Sequence, residues 1–206
     1  VVCVDGLHRL KALLEKRLRW LPLRMAMGGT AVVLLWLWVG TDAYLGLGVP
    51  GIVRAFEDPA LPVSAFAWKL AFTVVTLASG FLGGEVTPLF FIGASLGNVL
   101  ARVLGLPVDL GAAVGMAALF AAAANTPLAL SIMSVELVGA GVLPHVMIVA
   151  TVAYLLTGHR GIYPSQRIGR SKHGGPLLER WVPLRELEAP GPRGPGDSGP
   201  GGHGSG

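Results

Sequence analysis

The sequence predicts an all-α, polytopic membrane protein made of broken and tilted helices, and three observations carry that reading. Apolar residues make up 52% of the 206-residue chain and charged residues only 14%, against roughly 25% charged in an ordinary soluble domain. The basic residues Arg9, Lys11, Lys16, Arg17, Arg19 and Arg24 gather near the start, and Arg160, Arg167, Arg170, Lys172, Arg180 and Arg185 near the end. Between Met25 and Gly158 the basic residues are Arg54, Lys69 and Arg102. Finally, Gly and Pro cut the apolar part into segments, several of them shorter than the roughly 20 residues that a lone span requires.

Residues 1–24 read as a basic cytoplasmic approach helix, with Leu7, Leu10, Leu14 and Leu18 recurring at helical spacing between charges. Residues 25–175 read as the transmembrane part. Its first apolar run, Met25 to Gly40, is short for a span unless it continues from the preceding turn or tilts, and Trp36 and Trp38 suit an interface anchor. Residues 41–62 read as a Gly/Pro-interrupted connector.

A second run covers Val63 to Leu82, with Lys69 expected to snorkel toward one end. After the break Gly83-Gly84-Glu85-Val86-Thr87-Pro88, a helix is expected from Leu89 to Leu106 and a small, Ala-rich one from Gly111 to Ala124. Gly111, Ala112, Ala113 and Gly115 let helix backbones approach closely. Asn125-Thr126-Pro127 breaks the chain again and should satisfy helix ends. Short runs follow at Leu128 to Val138 and His145 to Thr157, separated by Gly139 to Pro144.

Residues 176–206 read as a cytoplasmic Gly/Pro-rich tail. From Ala189 onward its composition cannot bury enough apolar area to offset its ordering entropy, which predicts disorder. Cys3 is the lone cysteine, so no internal disulfide forms. The chain shows no signal-peptide pattern and does not begin with Met, and we expect a fragment whose upstream half is missing. Basic residues beside spans favour the cytoplasm, so both ends are expected there, with an even number of crossings. The net charge of +4 is met by this placement and calls for no nucleic-acid partner.

Irregular backbone at membrane depth is tolerated where it is buried in protein or lines a polar cavity, and transporters use such breaks to build ion sites. The segment from Gly83 to Pro88 is the sharpest case. A helix starting there leaves its first N–H groups unpaired, and those donors together with the positive end of the helix dipole attract an anion. Gly83 and Gly84 allow close approach, and Pro88 suits a first turn. An ordinary helix start capped by Glu85 or Thr87 fits the same residues.

Glu85 is costly in an apolar stretch unless it is paired, solvated or protonated, so it is a candidate for proton exchange beside a moving anion. Thr87 offers a hydroxyl to an anion or a cation, and the Tyr163 phenol could donate to an anion or anchor at the interface. Glu136 reads as paired with a neighbouring helix or backbone donor. His145 and His159 lack the spacing of metal ligands, so no metal is expected. Phosphate-loop and hydrolytic signatures are lacking, so the chain is not read as an enzyme.

From about Ala43 to Arg170 the sequence resembles the CLC family of anion channels and proton-coupled antiporters. Ser79-Gly80-Phe81-Leu82-Gly83-Gly84-Glu85-Val86-Thr87-Pro88 is similar to that family's Gly-Gly-x-Phe-x-Pro anion-binding segment. Asn125-Thr126-Pro127-Leu128 with Ser134-Val135-Glu136, and Gly161-Ile162-Tyr163-Pro164, follow in the family's order. Chloride-type members carry an apolar residue at position 85 and usually Phe at 86; Glu85 and Val86 resemble the fluoride/proton antiporter branch instead.

The resemblance implies one inverted repeat of the CLC fold, the second of two halves, in a homodimer whose interface includes the segments from about Leu128 to Leu156. It implies proton coupling at Glu85, anion binding by the amides of Glu85 and Val86 and by the Tyr163 hydroxyl, and a cation position at Thr87. The expected ligands are halide anions, fluoride or chloride, together with protons, and sodium as a candidate at Thr87; no other cofactor is implied. The expected function is fluoride export coupled to proton entry across the cell's inner (plasma) membrane, by a multi-pass protein embedded in the lipid bilayer. A chloride channel or chloride/proton exchanger of the same family, and a non-transporting membrane fragment or scaffold, are the alternatives.

Overall fold

The computed structural model of the chain describes residues 20–81 and 83–157, with the backbone of 167–168 and 182–183. Seven α-helices carry the described part: α1 Leu21–Val39, α2 Val49–Glu57, α3 Ala65–Ala78, α4 Val86–Leu104, α5 Val108–Ala124, α6 Pro127–Val138 and α7 Leu143–Thr157. A 3₁₀ turn at Ala140–Val142 leads into α7, and Arg167–Ile168 pairs antiparallel with Val182–Pro183. The basic approach helix expected before Trp20 and most of the expected tail lie outside the described residues.

The first span resolves its length problem by starting early. Pro22 stands in the opening turn of α1, where a missing N–H costs nothing, and Gly40 ends the helix at φ +72° with its N–H donated to the Trp36 carbonyl at 2.9 Å. The result is 19 residues, of which only Gly28 is buried. Such an exposed apolar helix suits lipid or a further part of the protein rather than water. Among the described residues, three helical stretches are long and apolar enough to cross a membrane: Leu21–Val39, Val86–Leu104 and Ala140–Thr157. Shorter apolar helices at Ala65–Ala78, Val108–Ala124 and Pro127–Val138 stand between them, as the interrupted hydropathy predicts.

α4 is the centre of the bundle. It packs along α5 and also meets α2 and α3, while α5 goes on to meet α6 and α7. The α4–α5 contact is a seam of four glycines. A Cβ added at Gly93 would lie 2.7 Å from the Gly115 carbonyl oxygen, and one at Gly111 would lie 2.7 Å from the Gly97 oxygen. No real side chain fits at that separation, so the two backbones touch directly. This bears out the close-approach reading of Gly111 and Gly115. Gly105, at φ +68°, turns the chain sharply between the two helices.

Three expectations need correction. The connector 41–62 contains the helix α2: Gly48 at φ +75° and Pro50 start a helix here instead of breaking one. The second run is helical only over Ala65–Ala78, because Ser79 and Gly80 (φ +93°) end it before Leu82. The helix expected from Leu89 begins three residues earlier, at Val86, and includes Thr87 and Pro88 in its first turn.

α4 is latched to the connector by two side chains one turn apart. Asn98 Nδ2 donates to the carbonyls of Ala55 (2.8 Å) and Asp58 (3.0 Å). The Arg102 guanidinium donates to those of Pro59 and Leu61, each at 2.9 Å. Arg102 thus supplies carbonyl caps to a Pro-interrupted stretch whose oxygens would otherwise lack partners.

Candidate anion site at the start of α4

The start of α4 follows from its sequence. Gly83 and Gly84 have no side chain to occupy the approach, and Glu85 takes the N-cap position at φ −83°, ψ −19°. The N-cap side chain makes no capping hydrogen bond. The first backbone bond of the helix is the one from the Leu89 N–H to the Glu85 carbonyl, at 3.3 Å. Among the described residues the amides of Val86 and Thr87 have no backbone acceptor. Of the two readings of this segment, the side-chain-capped start is therefore not what forms. Open amides at the positive end of a 19-residue helix remain, a physical arrangement that attracts an anion.

Gly83, Gly84 and Pro88 line a cavity of about 370 Å³. Its other walls come from the 44–47 loop, from Val32 of α1, and from the α3 side chains Lys69, Phe72, Thr73, Thr76 and Leu77. Glu85, Val86 and Thr87 are each half-buried beside it and are not among its lining residues. Tyr163 lies outside the described residues, so its distance from Glu85 is not defined.

Lys69 is the residue that the sequence reading placed wrongly. Instead of snorkelling to an interface it is buried, with 1% of its surface exposed. Its ammonium donates to the carbonyls of Tyr44 (3.1 Å) and Gly46 (2.7 Å) and lies 5.4 Å from the centroid of the Phe91 ring. The geometry explains Gly48: a Cβ there would sit 3.0 Å from Lys69 Nζ and 2.9 Å from Phe91. Gly46 and Gly48 both take positive φ, which lets the 44–48 loop turn its carbonyls toward the lysine. Tyr44 completes the wall, edge to face with Phe91 at 6.1 Å, and burial pushes its phenol pKa up against a smaller opposing pull from Arg54. A lysine within an apolar run is a functional candidate by default, but nothing in the sequence marks the carbonyls, some twenty residues upstream, that receive it.

The remaining candidates are not brought to this cavity. Glu136 is exposed and forms no ion pair among the described residues, contrary to the paired reading. His145 is exposed on α7, and the described residues hold no cluster of His, Cys, Asp or Glu suited to a metal. Asn125 ends α5 at φ +59° and Thr126 occupies the α6 N-cap position, although its hydroxyl makes no capping bond.

Broken apolar helices around an uncapped helix start and a buried cation define a membrane ion-transport fold. The chain belongs to the CLC family: the voltage gated chloride channel family matches residues 1–158. Members of this family are channels or transporters, not enzymes. The chain is 46% identical over 180 residues to a chloride/fluoride channel protein of Pseudomonas syringae pv. tomato, covering 84% of this chain and 39% of that protein. It is 35% identical over 149 residues to a voltage-gated ClC-type chloride channel of Citrobacter koseri, covering 66% of this chain and 35% of that one. The fold matches the crystal structure of a CLC-type fluoride/proton antiporter with a TM-score of 0.75 and 40% identity, over 79% of this chain and 41% of that one. The chain thus spans about two fifths of the length of the relatives it matches.

Proposed function

We propose that this chain forms the second half of a fluoride/proton antiporter that exports fluoride across the inner (plasma) membrane. The observation that carries the reading is the uncapped start of α4, with Glu85 standing immediately before its open amides. Fluoride is small and strongly hydrated, so it needs convergent N–H donors to replace water, and a carboxyl that can be protonated beside it couples its movement to a proton. Glu85 is that carboxyl. The amides of Glu85 and Val86 and the hydroxyl of Tyr163 bind the anion, and Thr87 faces the neighbouring cation position, where sodium is the candidate. The likeness to a fluoride/proton antiporter and to a chloride/fluoride channel protein supports the choice of fluoride.

In this reading the chain works with a preceding half, in a homodimer, with both ends in the cytoplasm. The exposed apolar residues Leu128, Ile132, Leu137, Ile148 and Leu156 of α6 and α7 suit such an interface. The test is flux in liposomes containing the assembled protein. Wild-type protein is expected to exchange fluoride for protons, and Glu85→Gln to lose most of the coupled flux; fluoride and proton fluxes unchanged by Glu85→Gln reject the role. The names of the 31–35% identical relatives favour a second reading, a chloride channel or exchanger. Chloride carried in preference to fluoride in the same assay selects it. No halide flux of either kind, with the protein folded, selects a non-transporting fragment or scaffold.

A further inference from the structure

We propose that Arg24 is a positioning residue for the anion site, holding from α1 the end of α3 that sets the approach to Glu85; the inference deepens the anion-transport reading above and rests on it. α1 is otherwise an exposed helix, and its single buried residue, Gly28, marks where it meets the rest of the fold. That meeting point is the end of α3. Arg24 Nε donates to the Ser79 carbonyl at 3.3 Å, across 55 residues of sequence. The last turn of α3 has no basic residue of its own, so Arg24 brings the cation that the negative end of this helix dipole favours.

Arg24 and Gly28, one turn apart on α1, face three consecutive residues, Ser79, Gly80 and Phe81. A Cβ on Gly28 would run into the Ser79 side chain and stand 3.6 Å from the Phe81 ring. At Gly80, where φ is +93°, a Cβ would stand 2.8 Å from Arg24 Nη2 and 3.0 Å from Leu21 Cδ1. The end of α3 is thus held on α1 by a hydrogen bond and by contacts that leave no room for a further side chain. This end also touches the approach to α4. Leu77 packs against Gly83, whose Cβ would lie 4.0 Å from Leu77 Cδ2, and Thr76, Leu77, Gly83 and Gly84 line the same 370 Å³ cavity. α4 itself is fixed by its glycine seam and its latch. What the end of α3 sets is where Gly83-Gly84-Glu85 stands relative to the open amides of Val86 and Thr87. Amide donors hold a small anion only while they converge on one point, so a shift of this approach takes the Glu85 amide out of the set.

The experiment uses the assembled transporter in detergent, with fluoride and chloride affinity measured by titration calorimetry, beside the thermal midpoint, for wild type, Arg24→Gln and Arg24→Lys. Arg24→Gln is expected to weaken the halide affinity of the folded protein by roughly tenfold. Arg24→Lys, which keeps the charge and one donor for the Ser79 carbonyl, is expected to stay within about threefold of wild type. A purely structural arginine would lower the midpoint and leave the affinity of the folded fraction unmoved; that result overturns the proposal. If Arg24→Gln does not fold, a second pair of variants decides it. Gly28→Ala pushes α1 off Ser79 and is expected to bring a comparable loss of affinity, and adding Ser79→Gly, which removes the obstructing side chain, is expected to restore it. Wild-type affinity in Gly28→Ala, or a double variant as weak as the single one, overturns the proposal. The two readings fail separately. A wild-type protein that binds no halide rejects the anion site and the role of Arg24 with it. One that binds halide without exchanging fluoride for protons removes the antiporter reading alone, and the Arg24 comparison still decides the positioning role.

Discussion

Gly97 of α4 and Gly111 of α5 meet backbone to backbone, so closely that a Cβ on Gly111 would stand 2.7 Å from the Gly97 carbonyl oxygen. Gly97→Leu is therefore expected to force the two helices apart. Overpacking typically costs about 1–3 kcal/mol, and backbone that cannot yield puts this site at or above the upper end. Thermal unfolding in detergent and the monodisperse fraction on gel filtration measure it. A midpoint unchanged within error would mean that the seam is not as close as described.

The latch from α4 to the connector makes a second prediction. Asn98→Leu removes both amide donors and leaves the carbonyls of Ala55 and Asp58 without them. An unsatisfied buried acceptor costs about 1–3 kcal/mol. Asn98→Asp is expected to be at least as damaging, since a carboxylate would face two carbonyl oxygens. If Asp is tolerated better than Leu, the assigned direction of these bonds is wrong.

Replacing Val86 by its α-hydroxy acid exchanges one N–H for an ester oxygen without altering the side chain. Among the described residues that N–H has no backbone acceptor, while the Glu85 carbonyl becomes an ester and accepts more weakly from the Leu89 N–H, so α4 should still form with a slightly weaker first turn. Halide affinity is expected to fall by roughly tenfold, the value of one hydrogen bond to a charged group. Full affinity in a folded ester variant would show that the anion rests elsewhere.

The partly exposed Asp58 gives the pH dependence. The Arg54 guanidinium, 2.9 Å away, and then the Ala60 amide hold its carboxyl below the ordinary value of 3.8. A depressed folded pKa means that the unfolded chain takes up the proton first as pH falls. The contribution of Asp58 is thus complete above 3.8 and is lost as pH drops through that value and below it. Asp58→Asn should flatten acid unfolding in that window and leave the thermal midpoint near neutral pH almost unchanged, because exposed pairs contribute little. Equal acid sensitivity in both proteins would contradict the shift.

Much of this architecture is legible because glycine and proline have local backbone preferences that mark helix ends and close helix contacts. The break before α4, the Asn125-Thr126-Pro127 turn and the small-residue seam follow from residues whose backbone preferences are local. The errors arose where the same residues have two meanings. Gly48 and Pro50 start a helix as readily as they stop one, and the choice depends on Lys69 and Phe91 packing against the loop. Lys69 itself was misplaced because its partners are carbonyls of a loop more than twenty residues away, and carbonyls carry no signature in a sequence. Glu85 is a candidate from sequence alone because a carboxylate in an apolar stretch stands out without any knowledge of its neighbours.

The latch at Asn98 and Arg102 has a further consequence for the amides at the other end of the same helix. Nineteen residues at the α-helical rise make α4 a rod of about 28 Å, pinned near its far end by four hydrogen bonds to the connector and along its length by the glycine seam. The donors at Val86 and Thr87 cannot drift independently to follow an ion. In the transport cycle proposed above, an anion arriving there would meet fixed dipoles, and the moving part would fall to Glu85.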